Sequence, residues 1–293
     1  MSEIRIDALL PTEMATRAEY LGVRKAEAPV FQMFALAILA GAFIALGAIF
    51  STVVGAGSLA SIGPDGTPLG TTSLPYGVVR LLSGFVFSLG LILVVVGGAE
   101  LFTGNNLIVM AWANGKVRGS ALLRNWTIVY AGNFVGSIGT ALLMLFARQY
   151  TFGKGAVGIV AMNTAVTKVN LEFLQAIALG ILCNALVCLA VWLTYSARST
   201  IDKIIAIIFP IAAFVAAGFE HSVANMYFIP YALLIKQFDP SFTSSIADKV
   251  PNLQTLTWGA FFVKNLIPVT IGNIIGGAVL VAAVYWVIFL RNK

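Results

Sequence analysis

A chain of 293 residues that is 59% hydrophobic and 10% charged, with a mean hydropathy of +0.93, is not a soluble domain, in which roughly a quarter of residues are charged. It is an integral membrane protein. The net charge of +6 partly reflects loop placement and gives no reason to expect a nucleic-acid partner.

The first 29 residues carry nine charges and no apolar core of the length a cleavable signal peptide needs. Residues 1–29 therefore read as a tail. In it Met14, Ala18 and Leu21 recur at helical spacing, which predicts a short amphipathic helix on the membrane face. Phe31–Val54 follows without a single charge, and about 20 apolar residues suffice to cross the bilayer as a helix. The later candidate spans are Leu81–Trp112, Trp126–Phe146, Phe173–Tyr195, Ile204–Ile235 and Trp258–Leu290. Residues 30–293 thus form one six-span domain, with several runs too long for one simple crossing. Cys183 and Cys188 fall inside a span, in no metal-ligand pattern, and read as small hydrophobes.

Basic residues set the orientation. Eleven Lys/Arg lie on the side shared by the tail, the second and fourth loops and the C-terminus, against seven on the other side. The excess predicts that both termini are cytoplasmic.

The two halves of the chain share a pattern. Gly98-Ala99-Glu100 is followed by Asn105, and Gly218-Phe219-Glu220 by Asn225, five residues after the glutamate each time. Gly132-Asn133-x-x-Gly136 is matched by Gly272-Asn273-x-x-Gly276. Glu100 to Asn133 is 33 residues and Glu220 to Asn273 is 53, the extra 20 fitting the polar connector Lys236–Asn252. Three spans per half is an odd number, so the second half enters the membrane upside down. A 3+3 inverted repeat is a transporter architecture whose sites lie near the midplane beside interrupted helices. The competing explanation is chance recurrence of Gly-x-x-x-Gly, an ordinary helix-packing motif, in a chain with 28 glycines.

"GGAELFTGNN" (Gly97–Asn106) and "GFEHSVANMYFIP" (Gly218–Pro230) predict breaks in the second and fifth spans. Backbone groups freed there are tolerated only if buried in protein or lining a wet path. Glu100 and Glu220 read as caps accepting those N–H groups, or as proton carriers. His221 is the sole histidine. It reads either as a neutral imidazole tying backbone groups together or as a proton donor and pH-responsive gate. With no H-E-x-x-H, no G-x-S-x-G and one histidine, neither an enzyme nor a cofactor or metal site is expected.

Val95–Gly104, "VVGGAELFTG", and Gly180–Ala190, "GILCNALVCLA", with Ala185 where a bulkier apolar residue is usual, carry a family likeness. The stretches "GFEHSVANMYFIP" and "NLIPVTIGNIIGG" (Asn265–Gly277) extend it. Through them the chain resembles the formate/nitrite transporter family over essentially its whole length. The resemblance implies an aquaporin-like fold in the inner membrane, assembled as a homopentamer with one pore per protomer. It implies pH-dependent passage of formate and of other small monovalent anions such as acetate, nitrite and lactate. Carried over by position, Phe87, Leu91 and Phe214 form the outer constriction, and Leu101, Phe102 and Val187 surround the inner one. Thr103 and His221 face each other across the path, Asn273 lies within reach of the histidine, and Asn225 belongs to the same neighbourhood. Lys168 is the vestibule lysine, and Glu100 and Glu220 are structural in the broken helices. Two routes stay open: protonation near His221 with passage as the neutral acid, or a neutral His221 past which anions move as ions. A nitrite or hydrosulfide channel and a proton-coupled symporter also remain. By the same likeness, Met14–Leu21 closes the cytoplasmic mouth at low pH.

Overall fold

Two glycines decide where the second and fifth apolar runs stop being helix. In the computed structural model, which describes residues 8–57, 61–62, 68–70 and 74–291, α1 (Pro11–Glu27) leads into α2 (Val30–Ala56). A loop with two short antiparallel strands, β1 (Ser61–Ile62) and β2 (Pro68–Gly70), then reaches α3 (Tyr76–Gly97). Helix α3 ends in Gly98 at φ 75°, a left-handed conformation that glycine adopts without a Cβ penalty. After a short irregular stretch, a tight turn at Gly104–Ile108 runs into α4 (Val109–Ala113), and α5 (Gly119–Phe146) follows.

The second half repeats this order with α6 (Ala156–Val169), α7 (Phe173–Ser196) and α8 (Thr200–Ala217), which stops at Gly218 with φ 77°. Helix α9 (Ser222–Phe238) and the short α10 (Pro240–Ser245) lead to the last span, α11 (Ala260–Phe289). Wide turns at Ala260–Leu266 and Ile275–Ala283 flank a regular stretch of α11, Ile267–Ile274. Among the described residues, six helices are long and apolar enough to cross a membrane: α2, α3, α5, α7, α8 and α11. The second and fifth expected spans are therefore each a span, a break and a second helix. Helix α6 has no counterpart in the expected elements, because its 14 residues are too few to cross a bilayer and read as loop.

Helix α2 lies against α3 and α5, α7 against α8 and α11, and α3 and α8 lie against each other. Association inside a membrane relies on close approach rather than on water exclusion, and glycine permits it. A methyl at Gly136 would strike the Ile38 carbonyl oxygen, and one at Gly276 the Ile181 carbonyl oxygen. Gly276→Val should thus push α11 off α7. Overpacking of this kind costs about 1–3 kcal/mol, and thermal unfolding in detergent, followed by tryptophan fluorescence, should shift down accordingly.

Helix α1 does not leave its apolar stripe for lipid. Met14, Ala15, Ala18, Gly22 and Ala26 are buried against Ile108, Met110 and Ala111 of the segment after the first break. The first seven residues of the tail lie outside the described residues.

Candidate functional site

At each break, an asparagine from a neighbouring span replaces the missing helical hydrogen bonds. Asn133 on α5 donates from Nδ2 to the Glu100 and Ala37 carbonyls at 2.9 and 2.8 Å, and its Oδ1 accepts the Phe102 N–H at 2.9 Å. Asn273 on α11 donates to the Glu220 and Gly180 carbonyls at 2.9 and 2.8 Å and accepts the Ser222 N–H at 2.9 Å. The Glu100 N–H reaches the Leu36 carbonyl of α2 at 3.2 Å, and the Glu220 N–H the Leu179 carbonyl of α7 at 3.3 Å. Buried backbone groups need partners, and here a single amide side chain supplies three of them.

The glutamates follow the same duplication. Glu100 accepts from Lys25 Nζ at 2.8 Å and Asn105 Nδ2 at 2.6 Å, with Asn105 also donating to Asn125 Oδ1 at 2.9 Å. Glu220 accepts from Lys168 Nζ at 2.7 Å and Asn225 Nδ2 at 2.7 Å, with Asn225 also donating to Asn265 Oδ1 at 2.7 Å. Asn125 and Asn265 in turn donate to the main-chain carbonyls of Lys25 and Lys168 at 3.0 and 2.9 Å. Lys25 lies in the last turn of α1 and Lys168 in the last turn of α6, so the tail helix is the counterpart of α6. Both carboxylates sit at the breaks as expected. However, no backbone N–H among the described residues donates to either; their partners are lysine and asparagine side chains. The two sets differ in detail: Asn265 Nδ2 also donates to the Glu220 carboxylate at 3.2 Å, whereas Asn125 donates to Met33 Sδ at 3.6 Å. Lys25 also donates to Asn105 Oδ1 at 3.0 Å, whereas Asn225 Oδ1 has no partner among the described residues.

Between the breaks, Thr103 Oγ1 and His221 Nε2 are 2.9 Å apart, and both residues are buried. His221 is the N-cap of α9, its Nδ1 accepting the Ala224 N–H at 3.0 Å. That bond needs a lone pair on Nδ1, so the ring is neutral, with its proton on Nε2 directed at the threonine oxygen. The Thr103 carbonyl is held by Asn184 Nδ2 at 3.3 Å and Cys188 Sγ at 3.3 Å. Asn273, expected at the imidazole, instead grips the backbone on either side of it through Glu220 and Ser222. An amide already committed to three backbone groups has no donor left for the ring.

Two cavities approach this pair. One, of about 500 Å³, is lined by Arg80, Lys168, Glu220, His221, Phe87 and Phe214, among others. The other, of about 460 Å³, is lined by Arg17, Lys25, Glu100, Leu91 and Leu101, among others. The Phe87 and Phe214 rings meet edge to face at 5.6 Å, and Phe214 stacks beside His221 at 6.0 Å. Leu91, expected with these two phenylalanines, lines the opposite cavity beside Leu101. Phe102 and Val187 line neither cavity; the Phe102 ring is turned against Tyr130 and Trp126 of α5, at 4.8 and 6.0 Å. In each cavity the cationic side chains outnumber the carboxylates, an arrangement that draws in small anions and repels cations. No group of three or more His, Cys, Asp or Glu side chains among the described residues is placed to hold a metal ion.

Several of these residues went unassigned in the sequence. Lys25, Asn125, Asn184 and Asn265 belong to the breaks, and the signal for two of them was present: Asn125 and Asn265 each stand eight residues before the asparagine that ties the break.

Paired broken helices and a buried imidazole thus lie between two cationic cavities. The sequence model of the formate/nitrite transporter family matches residues 12–287. The chain belongs to this family. Within the formate/nitrite transporters, it is 45% identical to the formate channel FocA of Escherichia coli strain K12, over 98% of this chain and 96% of that one. It is 40% identical to the formate channel FocA of Haemophilus influenzae, over 93% and 92% of the two chains. A solved structure described as a pentameric formate channel with formate bound is 46% identical and superposes with a TM-score of 0.79, covering 89% of this chain and 98% of its own. Family membership makes the protein a multi-pass membrane transporter and not an enzyme.

Proposed function

We propose that the protein is a formate channel of the cell's inner membrane, assembled as a homopentamer with one pore through each protomer and with both termini in the cytoplasm. In this reading residues 30–293 form the channel domain, and the tail helix within residues 1–29 closes the cytoplasmic face of the pore. The observation that carries it is the buried Thr103–His221 contact, at 2.9 Å, between two cavities that hold Lys168 and Lys25. The 45% identity to a formate channel and the likeness to a pentameric channel with formate bound support the choice of substrate and assembly.

A small monoanion loses much of its hydration at an apolar ring, and a single strong fixed charge there would trap it. Lysines outside the constrictions raise the local anion concentration without that penalty, while Phe87, Phe214, Leu91 and Leu101 keep the approach to the centre dry. At the centre, Nε2–H of His221 is the donor that meets the anion. Protonating the ring at Nδ1 removes the acceptor for the Ala224 N–H, so charging His221 and uncapping α9 are one event. This couples the gate to pH. Uptake of labelled formate into proteoliposomes of the purified protein, with mass measurement of the detergent-solubilised assembly, tests the reading. Saturable formate uptake by a pentamer is expected; no uptake above protein-free vesicles would overturn it.

A further inference from the structure

Arg80 stands where the fold does not require a cation. It lies one turn into α3 and crosses to the end of α8, where Nε donates to the Ala216 carbonyl at 3.3 Å and Nη2 donates to the Val215 carbonyl. The Ala216 carbonyl is among the last before Gly218, of the kind that a helix end leaves without partners, and the Val215 carbonyl also accepts the Gly218 N–H at 3.1 Å. The matching carbonyls at the other break, Val95 and Val96, receive no side-chain donor among the described residues, yet that helix ends at Gly98 in the same conformation. A break of this kind therefore forms without a guanidinium.

The cavity beside Arg80 suggests what the extra cation does. Lys168 and Glu220 are ion-paired at 2.7 Å, which cancels their formal charges. No carboxylate among the described residues pairs with Arg80. The net positive charge of the cavity that ends at His221 is thus carried by Arg80, and a guanidinium stays charged at any working pH. Its fork has five N–H donors, and the two carbonyl bonds leave others over for the cavity. A planar fork fixed from behind by backbone carbonyls matches a carboxylate with two parallel hydrogen bonds.

We propose that Arg80 is the capture residue for a small monocarboxylate in the Lys168 cavity, binding the anion before it reaches Phe87 and Phe214. The inference rests on the anion-channel reading above. It is tested by the concentration dependence of formate uptake into proteoliposomes for wild type, Arg80→Gln and Arg80→Lys, each at low and high ionic strength. Arg80→Gln should raise the half-saturating formate concentration about three- to ten-fold and flatten its dependence on ionic strength. Arg80→Lys, which keeps the charge but not the fork, should keep the ionic-strength dependence and show only part of the shift. An Arg80→Gln channel with wild-type half-saturation and wild-type salt dependence overturns the assignment. So does a pair of variants that share only a lower melting temperature and maximal flux, which would make Arg80 a helix-end cap and nothing more. Wild-type protein that takes up no formate defeats the channel reading and this assignment with it; normal wild-type uptake with an unmoved Arg80→Gln defeats the assignment alone.

Discussion

His221→Asn should still pass formate but lose the pH dependence of flux between about pH 5 and 8, whereas His221→Ala should lose both the pH dependence and most of the flux. Asparagine is a good N-cap. Its Oδ1 can accept the Ala224 N–H that His221 Nδ1 now accepts at 3.0 Å and so keep α9 capped, although its Nδ2 stops one bond short of the Nε2 position that meets Thr103 Oγ1 at 2.9 Å. What asparagine cannot do is take up a proton in this range. Alanine supplies neither bond, leaving a buried N–H and a buried hydroxyl to be satisfied by other means. Each lost partner costs about 1–3 kcal/mol, so a misplaced α9 N-terminus should lower flux by roughly ten-fold or more. Labelled formate uptake into proteoliposomes at matched internal and external pH reads both effects. A pH profile that survives unchanged in both variants would move the titrating element away from His221 and towards the tail helix.

A second acid-sensitive group lies outside the spans and must be kept apart from that result. Asp239, after α9, accepts the Phe242 N–H at 2.9 Å and the Tyr150 hydroxyl at 2.8 Å. These bonds, the backbone one first, hold its carboxyl below the usual aspartate range. A depressed carboxyl contributes stability that is present above the unfolded-state value, about pH 4, and is lost as pH falls through the folded one. Loss of this connector contact therefore belongs to strongly acidic conditions, below the window in which histidine acts.

The spans, the breaks and the glutamate–asparagine pairs were legible because each depends on residues close in the chain. Hydropathy marks a crossing, Gly98 and Gly218 mark the stops, and the five-residue step from Glu100 to Asn105 recurs from Glu220 to Asn225. The lysines were not legible in the same way. Lys25 and Glu100 are 75 residues apart while Lys168 and Glu220 are 52 apart, because the loops between them differ in length. Only the fold shows that the last turns of α1 and α6 present equivalent ammonium groups. Helix α6 was hidden by its shortness. The misplacement of Asn273 at the imidazole has another cause: proximity in a motif does not say which atoms an amide will spend its donors on, and two backbone carbonyls took both. Leu91 and Phe102 show the same limit for apolar residues, since position along a helix does not fix which cavity, or which neighbouring ring, a side chain meets.

The duplicated asparagines carry the second large prediction. Removing the amide in Asn273→Ala strips partners from the Ser222 N–H and from the Glu220 and Gly180 carbonyls. Asn133→Ala does the same to the Phe102 N–H and the Glu100 and Ala37 carbonyls. At about 1–3 kcal/mol per unsatisfied buried group, each variant should lose on the order of 3 kcal/mol or more, a large share of a stability of roughly 5–15 kcal/mol. Thermal unfolding in detergent should place the two variants close together and well below wild type. Their transport should differ. Asn273 fixes the backbone on both sides of His221, so at permissive temperature its loss should shift the pH dependence of formate flux. Asn133 fixes the residue before Thr103, so its loss should lower flux and leave the pH profile in place. If Asn133→Ala unfolds like wild type while Asn273→Ala does not, the two breaks are alike in geometry but not in energy, and the hydrogen bonds around Glu100 are not what holds the first one. If both fall together, one amide per break is the element that lets a membrane helix be interrupted at Thr103 and at His221 without leaving its backbone unpaired.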